Sequence, residues 1–380
     1  MDLALNEKQA EIQALAQRAA AELLAPTAAQ NDRHAIFPTA TLHALGKRGL
    51  MGVNIDPAYG GKGAGVVAYA VAVRQLAAAC AGTTVAMMVT NMVAEAIQKY
   101  GTDDQKRRYL PLICGGQYAA ASFSLSEPGS GSDAASLRAT AVLDGDAYVL
   151  EGTKAWVTSG GEAGLYLVMA VTDVSQRAKG ISAFLVEPGT PGLSVPKPEA
   201  KMGLRASKTT QLVFKACRVP VANRLGPEGV GFKIAMNALD GGRVGVSAQA
   251  CGIATGALVT ASRLLAEEAD SPSADYAERR GLLADAATEL DAGWLLCLRA
   301  AALKDEGRPL TREAAMSKLF CTEMAHRACA RALDIVGVDA YTDALGLERA
   351  VRDVRVTRIY EGTSEVQRIV IAREVLRGLG

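Results

Sequence analysis

The stretch TAVLDGDAYVLEG, residues 140–152, decides the fold class of this 380-residue chain. Apolar and polar residues alternate on both sides of Asp144-Gly145, a pair typical of a tight turn between two β-strands. Two further strand-like runs, YLVMAVTD and ISAFLVEP, follow at 166–173 and 181–188. We therefore expect a β domain over residues 118–225, built as a small antiparallel barrel or sandwich.

Helical periodicity flanks this β region on both sides. Apolar residues recur every three or four positions through residues 1–117 and again through residues 226–380. Asp240 is expected to cap the long helix that follows it, with Arg243 in the first turn. The order of helices, sheet and helices predicts an α+β fold, with an N-terminal helical domain and a C-terminal bundle.

Composition excludes several classes of protein. The 41 basic and 40 acidic residues give a net charge of +1, so nucleic acid and anionic membranes are poor partners. No uninterrupted apolar run is long enough to cross a bilayer, and the acidic N-terminus does not resemble a secretory signal. The seven scattered cysteines and three histidines have no metal-ligand spacing. We expect a cytoplasmic protein with no metal site.

Two segments of the β region contain residues that suit a planar, polar ligand. FSLSEPGSGSD, residues 123–133, has the small and turn-forming residues that let backbone N–H groups converge on an acceptor. KAWVTSGG, residues 154–161, places Trp156 two residues before the hydroxyl of Thr158. An ordinary loop and a core tryptophan explain the same residues equally well.

IYEGTSEVQR, residues 359–368, places Glu361 and Gly362 immediately before a predicted helix. Ser364 and Gln367 have the spacing of a capping box, which predicts that the helix begins there. A carboxylate at that position is commonly no more than a partner of the helix dipole.

Five motifs, taken in order, resemble the acyl-CoA dehydrogenase family, of the short- or medium-chain kind, over essentially the whole chain. They are SLSEPGSGSD, KAWVTSGG, KMGLRASKTTQLVF, GFKIAMNALDGGRVG and RIYEGTSEVQRIVIAREVL. The resemblance implies an N-terminal helical domain, a middle β domain and a C-terminal four-helix bundle. It also implies FAD as cofactor, an acyl-CoA as substrate and an electron-transferring flavoprotein as electron acceptor.

The resemblance assigns a role to individual residues. Glu361 matches the base that removes the α-proton while the β-hydrogen leaves as hydride to flavin N5. The implied FAD contacts are Phe123, Leu125, Ser126, Gly131, Ser132, Trp156, Thr158, Thr363 and Glu365. The implied acyl-CoA contacts are Ser132, Asp240, Arg243 and Gly362. Related activities on the same scaffold, namely an acyl-CoA oxidase, a reductase or a non-catalytic acyl-CoA-binding subunit, remain alternatives.

Two segments depart from the family pattern. LLAEEADSPSADYAERRG, residues 264–281, lacks the Arg–aromatic–Gly element that reaches the FAD of a neighbouring subunit, and Ala277 stands where a Gln is expected. DIVGVDA, residues 334–340, has Asp334 and Val338 where the family has Gln and Gly. Two assemblies are consistent with these changes: a homotetramer with altered adenine contacts, and an α2β2 heterotetramer with a paralogous subunit.

Overall fold

The computed structural model describes residues 4–270 and 273–377. Its first unit is helical, and the bounds of its helices are α1 Glu7–Ala19, a π-helical turn Ala20–Leu24, α2 Ala25–His34, α3 Thr39–Lys47, α4 Gly65–Ala79, α5 Ala81–Tyr100 and α6 Asp103–Cys114.

Capping boxes start two of these helices. Asn6 and Gln9 cap α1 reciprocally, and Thr102 and Gln105 do the same for α6. The Gln105 amide also donates to the carbonyls of Ala222 and Arg224, at 2.9 and 3.0 Å. The start of α6 is thereby tied to the end of the β domain.

Eight strands form one sheet in the described part of the chain. Their bounds are β1 Ala121–Ser124, β2 Thr140–Asp144, β3 Ala147–Thr158, β4 Leu165–Val171, β5 Ile181–Val186, β6 Leu193–Ser194, β7 Thr209–Pro220 and β8 Arg224–Leu225. The strand order is β6-β7-β3-β2-β4-β5-β8, and β1 pairs with β4.

The sheet is mostly antiparallel, as predicted, but two of its pairings are parallel. Both β1 and β2 run parallel to β4, because the intervening chain crosses over before β4 joins the sheet. The predicted hairpin forms between β2 and β3. Its register pairs Asp144 with Ala147, so the central turn residues are Gly145 and Asp146, one position later than predicted.

The last unit contains α7 Gly231–Glu267, α8 Tyr276–Asp305, α9 Thr311–Val336, α10 Leu347–Val354 and α11 Ser364–Arg377. Helix α7 packs against α4, α5, α8 and α9. It is the one described helix long and apolar enough to span a membrane, yet 78% of its apolar window is buried inside the protein. A long apolar helix that is mostly buried in this way is a core helix of the protein.

The prediction that Asp240 caps this helix is wrong. Because α7 begins at Gly231, both Asp240 and Arg243 lie in its interior. The apolar run GFKIAM preceding Asp240 continues the helix backwards, and its buried residues Ile234 and Ala235 pack in the core.

Candidate active site

Glu361 lies in a strained turn between α10 and α11. Its backbone φ is +54°, a left-handed value that is uncommon for a residue with a side chain, and Gly362 follows at +93°. The Gln367 amide donates to the carbonyls of Glu361 and Gly362, at 3.1 and 2.9 Å. The Lys318 ammonium donates to the Gly362 carbonyl at 2.8 Å. Side chains from two helices thus hold the main chain of the turn.

The predicted capping box of α11 is wrong. The hydroxyl of Thr363, not Ser364, accepts from the Val366 N–H, at 3.3 Å. Ser364 is buried and donates instead to Glu323 at 2.7 Å. Gln367 is also buried, and its amide turns back to the strained turn. The helix therefore has its cap one residue earlier than predicted.

The carboxylate of Glu361 is unpaired although its backbone is firmly held. Oε2 is buried and has no hydrogen-bond partner among the described residues. The carboxylate lies against the backbone of Gly242 on α7, where an added Cβ would overlap it. Burial raises the pKa of Glu361 to about 7, against the opposing effect of Lys318 and Arg243. At neutral pH this group can accept a proton.

Two cations stand near this carboxylate without forming an ion pair with it. Lys318 is 0% exposed, and burial lowers its pKa to about 8, opposed by the charge of Glu361. Arg243 is also buried, and it donates to Asp240 at 2.6 Å. The second oxygen of Asp240 accepts from Thr311 at 2.9 Å. The Nε of Arg243 has no partner among the described residues, which leaves a donor for a ligand.

The loop predicted to hold a planar cofactor is anchored by a fully buried ion pair. Lys154 on β3 is 0% exposed and donates to Glu127 at 2.7 Å and to the carbonyl of Leu125 at 3.2 Å. Glu127 also accepts from the backbone N–H groups of Arg138 and Ala139. The Ser126 carbonyl accepts from the next residue of β3, Ala155, at 2.8 Å. The strand therefore fixes the position of the loop.

The surface next to this loop is open. Trp156 leaves 65% of its surface exposed, and its φ of +59° turns the ring out of the alternation of β3. A Cβ built on Gly131 would have no neighbour within 4 Å, and Ser132 is exposed. Thr158 is half-buried, and its carbonyl accepts from Ser122 at 2.6 Å. An exposed aromatic face beside a small-residue loop fits a large planar cofactor such as FAD.

The remaining predicted residues divide between these two groups. Phe123 is half-buried on β1, directly before the anchored loop. Thr363 caps α11, and Glu365 is exposed in the first turn of that helix. Hydrogen bonds from its own backbone N–H and from Thr363 lower the pKa of Glu365. Helix α5 contacts both β1, which precedes the loop, and α7, which carries Gly242 beside the Glu361 carboxylate.

The two segments that depart from the family pattern contact each other. Arg279 on α8 donates to Glu268 at 3.0 Å and to the carbonyl of Ile335, also at 3.0 Å. Glu267, Asp270 and Val338 are exposed around this contact, while Ser271 and Pro272 lie outside the described residues. Arg279 therefore links the two segments within the chain through its Nη1 atom.

Sequence analysis missed several residues of the site. Lys318 carries a weak signal, because it lies at helical spacing from the buried apolar residues Ala314, Cys321 and Ala325 of α9. Lys154 points inward from β3, where a lysine without a partner would be costly, and that cost could have suggested Glu127. Nothing in the sequence shows that Gly242 contacts Glu361, since the two residues are far apart along the chain.

Comparison with known proteins identifies the class to which this fold and site belong. Family models for the N-terminal, middle and C-terminal domains of acyl-CoA dehydrogenases match residues 6–117, 122–217 and 229–376. Together they cover most of the chain. The protein belongs to the acyl-CoA dehydrogenase family.

Individual relatives agree with this assignment. The chain is 42% identical to an acryloyl-CoA reductase (NADH) of Anaerotignum propionicum over 99% of this chain and 96% of that protein. It is 44% identical to the mouse mitochondrial short-chain specific acyl-CoA dehydrogenase, over 93% of this chain and 86% of that one. One similar chain comes from a solved structure titled for the electron transferring flavoprotein of Acidaminococcus fermentans. It superimposes on this chain with a TM-score of 0.97 at 42% identity, and the match covers 99% of this chain and 100% of that chain.

Proposed function

We propose that this protein is an FAD-dependent acyl-CoA dehydrogenase in which Glu361 removes the α-proton of an acyl-CoA thioester. The observation that carries the proposal is the state of the Glu361 carboxylate. Its Oε2 is buried and has no hydrogen-bond partner among the described residues, and burial raises the pKa of the group to about 7. A general base is most effective when its pKa lies near the operating pH.

The residues around Glu361 prepare it for this role. Gly242 leaves room for the carboxylate, and the hydrogen bonds of Gln367 and Lys318 fix the turn that carries it. Lys318 and Arg243 oppose the effect of burial, so part of the base is ionised at neutral pH without a direct ion pair. In the proposal, Asp240, Arg243 and Gly362 contact the acyl-CoA together with Ser132.

The open face around Trp156 is the proposed FAD site. Phe123, Leu125, Ser126, Gly131, Ser132, Trp156, Thr158, Thr363 and Glu365 would hold the cofactor. When bound, FAD supplies the acceptor for the β-hydride. The Lys154–Glu127 ion pair fixes the position of the loop, so the protein would offer the cofactor a rigid binding surface.

Electrons would pass to an electron-transferring flavoprotein. The test is steady-state oxidation of butyryl-CoA by the flavin-loaded protein, with a dye acceptor in one reaction and with dissolved oxygen alone in another. Dye-dependent turnover with little oxygen consumption supports a dehydrogenase. Rapid oxygen consumption would identify an oxidase, and turnover only from the unsaturated thioester with a reductant would identify a reductase. No turnover with intact flavin and acyl-CoA binding would identify a non-catalytic subunit.

We further propose that a paralogous chain completes the flavin site in an α2β2 assembly. In support, acids surround the segments from which the family lends cross-subunit contacts, and Arg279 donates to Glu268 and to the Ile335 carbonyl of its own chain. Carboxylates near a pyrophosphate are unfavourable. Native mass spectrometry of the chain alone, and coexpressed with any paralogue encoded by a neighbouring gene, tests this. A mixed tetramer is expected, whereas a stable homotetramer formed alone would support altered adenine contacts instead.

The near-neutral charge supports neither nucleic acid nor an anionic membrane as a partner. The proposed setting is the cytoplasm.

A further inference from the structure

Asp353 is a buried carboxylate near the end of α10, a short distance along the chain before Glu361. It is 5% exposed, and it accepts the backbone N–H of Leu204 at 2.6 Å. Leu204 belongs to the segment of residues 201–208 that leads into β7, called here the 201–208 loop. The hydrogen bond therefore joins the C-terminal helices to the β domain.

The 201–208 loop lies directly against the backbone of α10 at this point. A Cβ built on Gly203 would lie 2.2 Å from the Arg352 carbonyl oxygen, so a larger residue does not fit there. The Arg352 guanidinium donates to the Met202 carbonyl at 3.2 Å and to Asp32 on α2 at 2.7 Å. The helical first unit, the β domain and the last unit therefore meet at this contact.

The backbone of Leu204 is strained where it meets Asp353. Its φ of +49° lies in the left-handed region, which a residue with a side chain rarely adopts. Strained residues persist only where their surroundings hold them, and they cluster at functional sites. The Asp353 carboxylate is one of the groups that hold Leu204 in this conformation.

The other end of the 201–208 loop is bonded to the face proposed to hold FAD. The Lys208 carbonyl accepts from the Ser159 N–H at 2.8 Å. Thr209, the first residue of β7, pairs with Thr158, the last residue of β3. Trp156 lies two residues earlier on the same strand. A displacement of the loop would therefore move the end of β3 that carries the proposed flavin contacts.

The helix that carries Asp353 also leads directly to the proposed base. A 3₁₀ turn, Arg355–Arg358, follows α10 without a gap. Within it the Thr357 hydroxyl donates to the Val354 carbonyl at 2.7 Å, which ties the turn to the end of the helix. The Glu361 turn comes next, so its position follows that of α10.

We propose that Asp353 is a positioning residue for the reaction: by holding the 201–208 loop against α10, it fixes the Glu361 turn relative to the Trp156–Thr158 face. This inference rests on the proposed function, because it takes Glu361 as the base and that face as the flavin site. A thioester that loses its α-proton to one and its β-hydrogen toward the other has to meet both in a single geometry.

The hydrogen bond of Asp353, rather than its charge, carries this role. Burial raises the pKa of Asp353 to about 7, opposed first by the Leu204 N–H. The charge of Asp32 raises the pKa further, whereas Arg349 and Arg352 lower it. The group is therefore partly protonated at neutral pH. An asparagine, whose carbonyl oxygen is an acceptor, reproduces the neutral acid.

The test measures flavin reduction by butyryl-CoA under anaerobic conditions, at a temperature well below Tm. Asp353→Leu keeps the size of the side chain but removes the acceptor. We expect the limiting rate to fall by about 10- to 100-fold, the cost of misplaced reacting groups, with FAD still bound and the half-saturating butyryl-CoA concentration close to that of the wild type. Asp353→Asn should retain most of the rate. A residue that only stabilised the fold would lower Tm without changing the rate of the folded, flavin-loaded protein.

A second readout requires neither substrate nor flavin. Asp353→Leu should increase hydrogen–deuterium exchange of the backbone amides in the 201–208 loop and at Ser159, because the bond that holds the loop is lost. Asp353→Asn should exchange at these amides like the wild type.

Gly203→Ala disrupts the same contact from the β domain and covers the case in which Asp353→Leu does not fold. Its Cβ must push the loop away from the Arg352 carbonyl, so the limiting rate should fall and exchange of the loop should rise.

Glu151→Leu is the matched control. Glu151 accepts the N–H of Ala216 at 2.7 Å, and the φ of Ala216 is +49°, the same as that of Leu204. This bond lies within the sheet, in the middle of β3 rather than at its Thr158 end. Glu151→Leu should therefore leave the limiting rate unchanged.

The outcomes separate this inference from the proposed function. Folded, flavin-loaded Asp353→Leu or Gly203→Ala with the wild-type limiting rate would overturn the inference, as would unchanged exchange of the 201–208 loop. An equal loss of rate in Asp353→Asn and Asp353→Leu would also overturn it, because the charge would then carry the effect. A wild type whose flavin is not reduced by butyryl-CoA would contradict the proposed function itself.

Discussion

The Glu361 turn differs from the segment at residues 264–281, called here the α7–α8 hairpin, in how its charged groups are paired. At the turn, buried Lys318 and Gln367 satisfy the backbone, and the carboxylate is left free. At the hairpin, Arg279 pairs with Glu268, and the surrounding acids are exposed. A buried carboxylate oxygen with no hydrogen-bond partner and a raised pKa is a candidate functional group, whereas a charge held in an ion pair is more commonly structural. We therefore take the first region as the candidate site and the second as structural.

The largest effect is expected from adding one methyl group at the turn. Gly242→Ala places a Cβ against the Glu361 carboxylate and must displace it, and misplacing a catalytic group by about 1 Å can cost roughly 100-fold in rate. We expect a fall in kcat of about 10- to 100-fold with butyryl-CoA. Gly281→Ala is the matched control, because Gly281 is also helical but has nothing within 4 Å of its Cβ position. Equal activity of the two variants would show that the carboxylate need not occupy its present position.

A smaller effect is expected on the pH dependence of the reaction. Because ionised Glu361 is the active form, kcat/KM of the wild type should rise with pH and level off above about pH 7. Lys318→Met removes a charge that lowers the pKa of Glu361, so the inflection should move to higher pH. Lys233→Met, which changes an exposed lysine of α7, should leave it in place. An inflection that moves down in Lys318→Met would contradict the assignment.

The smallest effect on activity is expected at the hairpin. Arg279→Ala removes the hydrogen bond to the Ile335 carbonyl and the ion pair with Glu268, so Tm should fall by a few degrees. Because these groups are remote from Glu361 in our account, kcat of the assembled enzyme should not change. A large loss of kcat at unchanged Tm would mean that this region acts in catalysis.

Much of the fold could be predicted from the sequence because it depends on local patterns. The alternation around Gly145 acts within a few positions, and the structure agrees with the predicted hairpin to within a residue. The predicted start of α7 was wrong because Asp240 is a residue type that commonly caps helices. Only the burial of the preceding turn shows that the helix begins at Gly231.

The site itself could be predicted only in part. The family resemblance singled out Glu361, and the local pattern placed it before a helix. Contacts between distant positions, such as Gly242 with Glu361 and Lys304 with Glu95, depend on how α5, α7 and α8 pack. No spacing along the chain encodes them.

The central claim is that Glu361 is the base, and anaerobic mixing of the flavin-loaded protein with butyryl-CoA tests it most directly. We predict rapid bleaching of the flavin absorbance in the wild type. In Glu361→Gln, which keeps the shape of the side chain, we predict a rate lower by about 10²- to 10⁴-fold with FAD still bound. Bleaching at the wild-type rate in Glu361→Gln would contradict the claim.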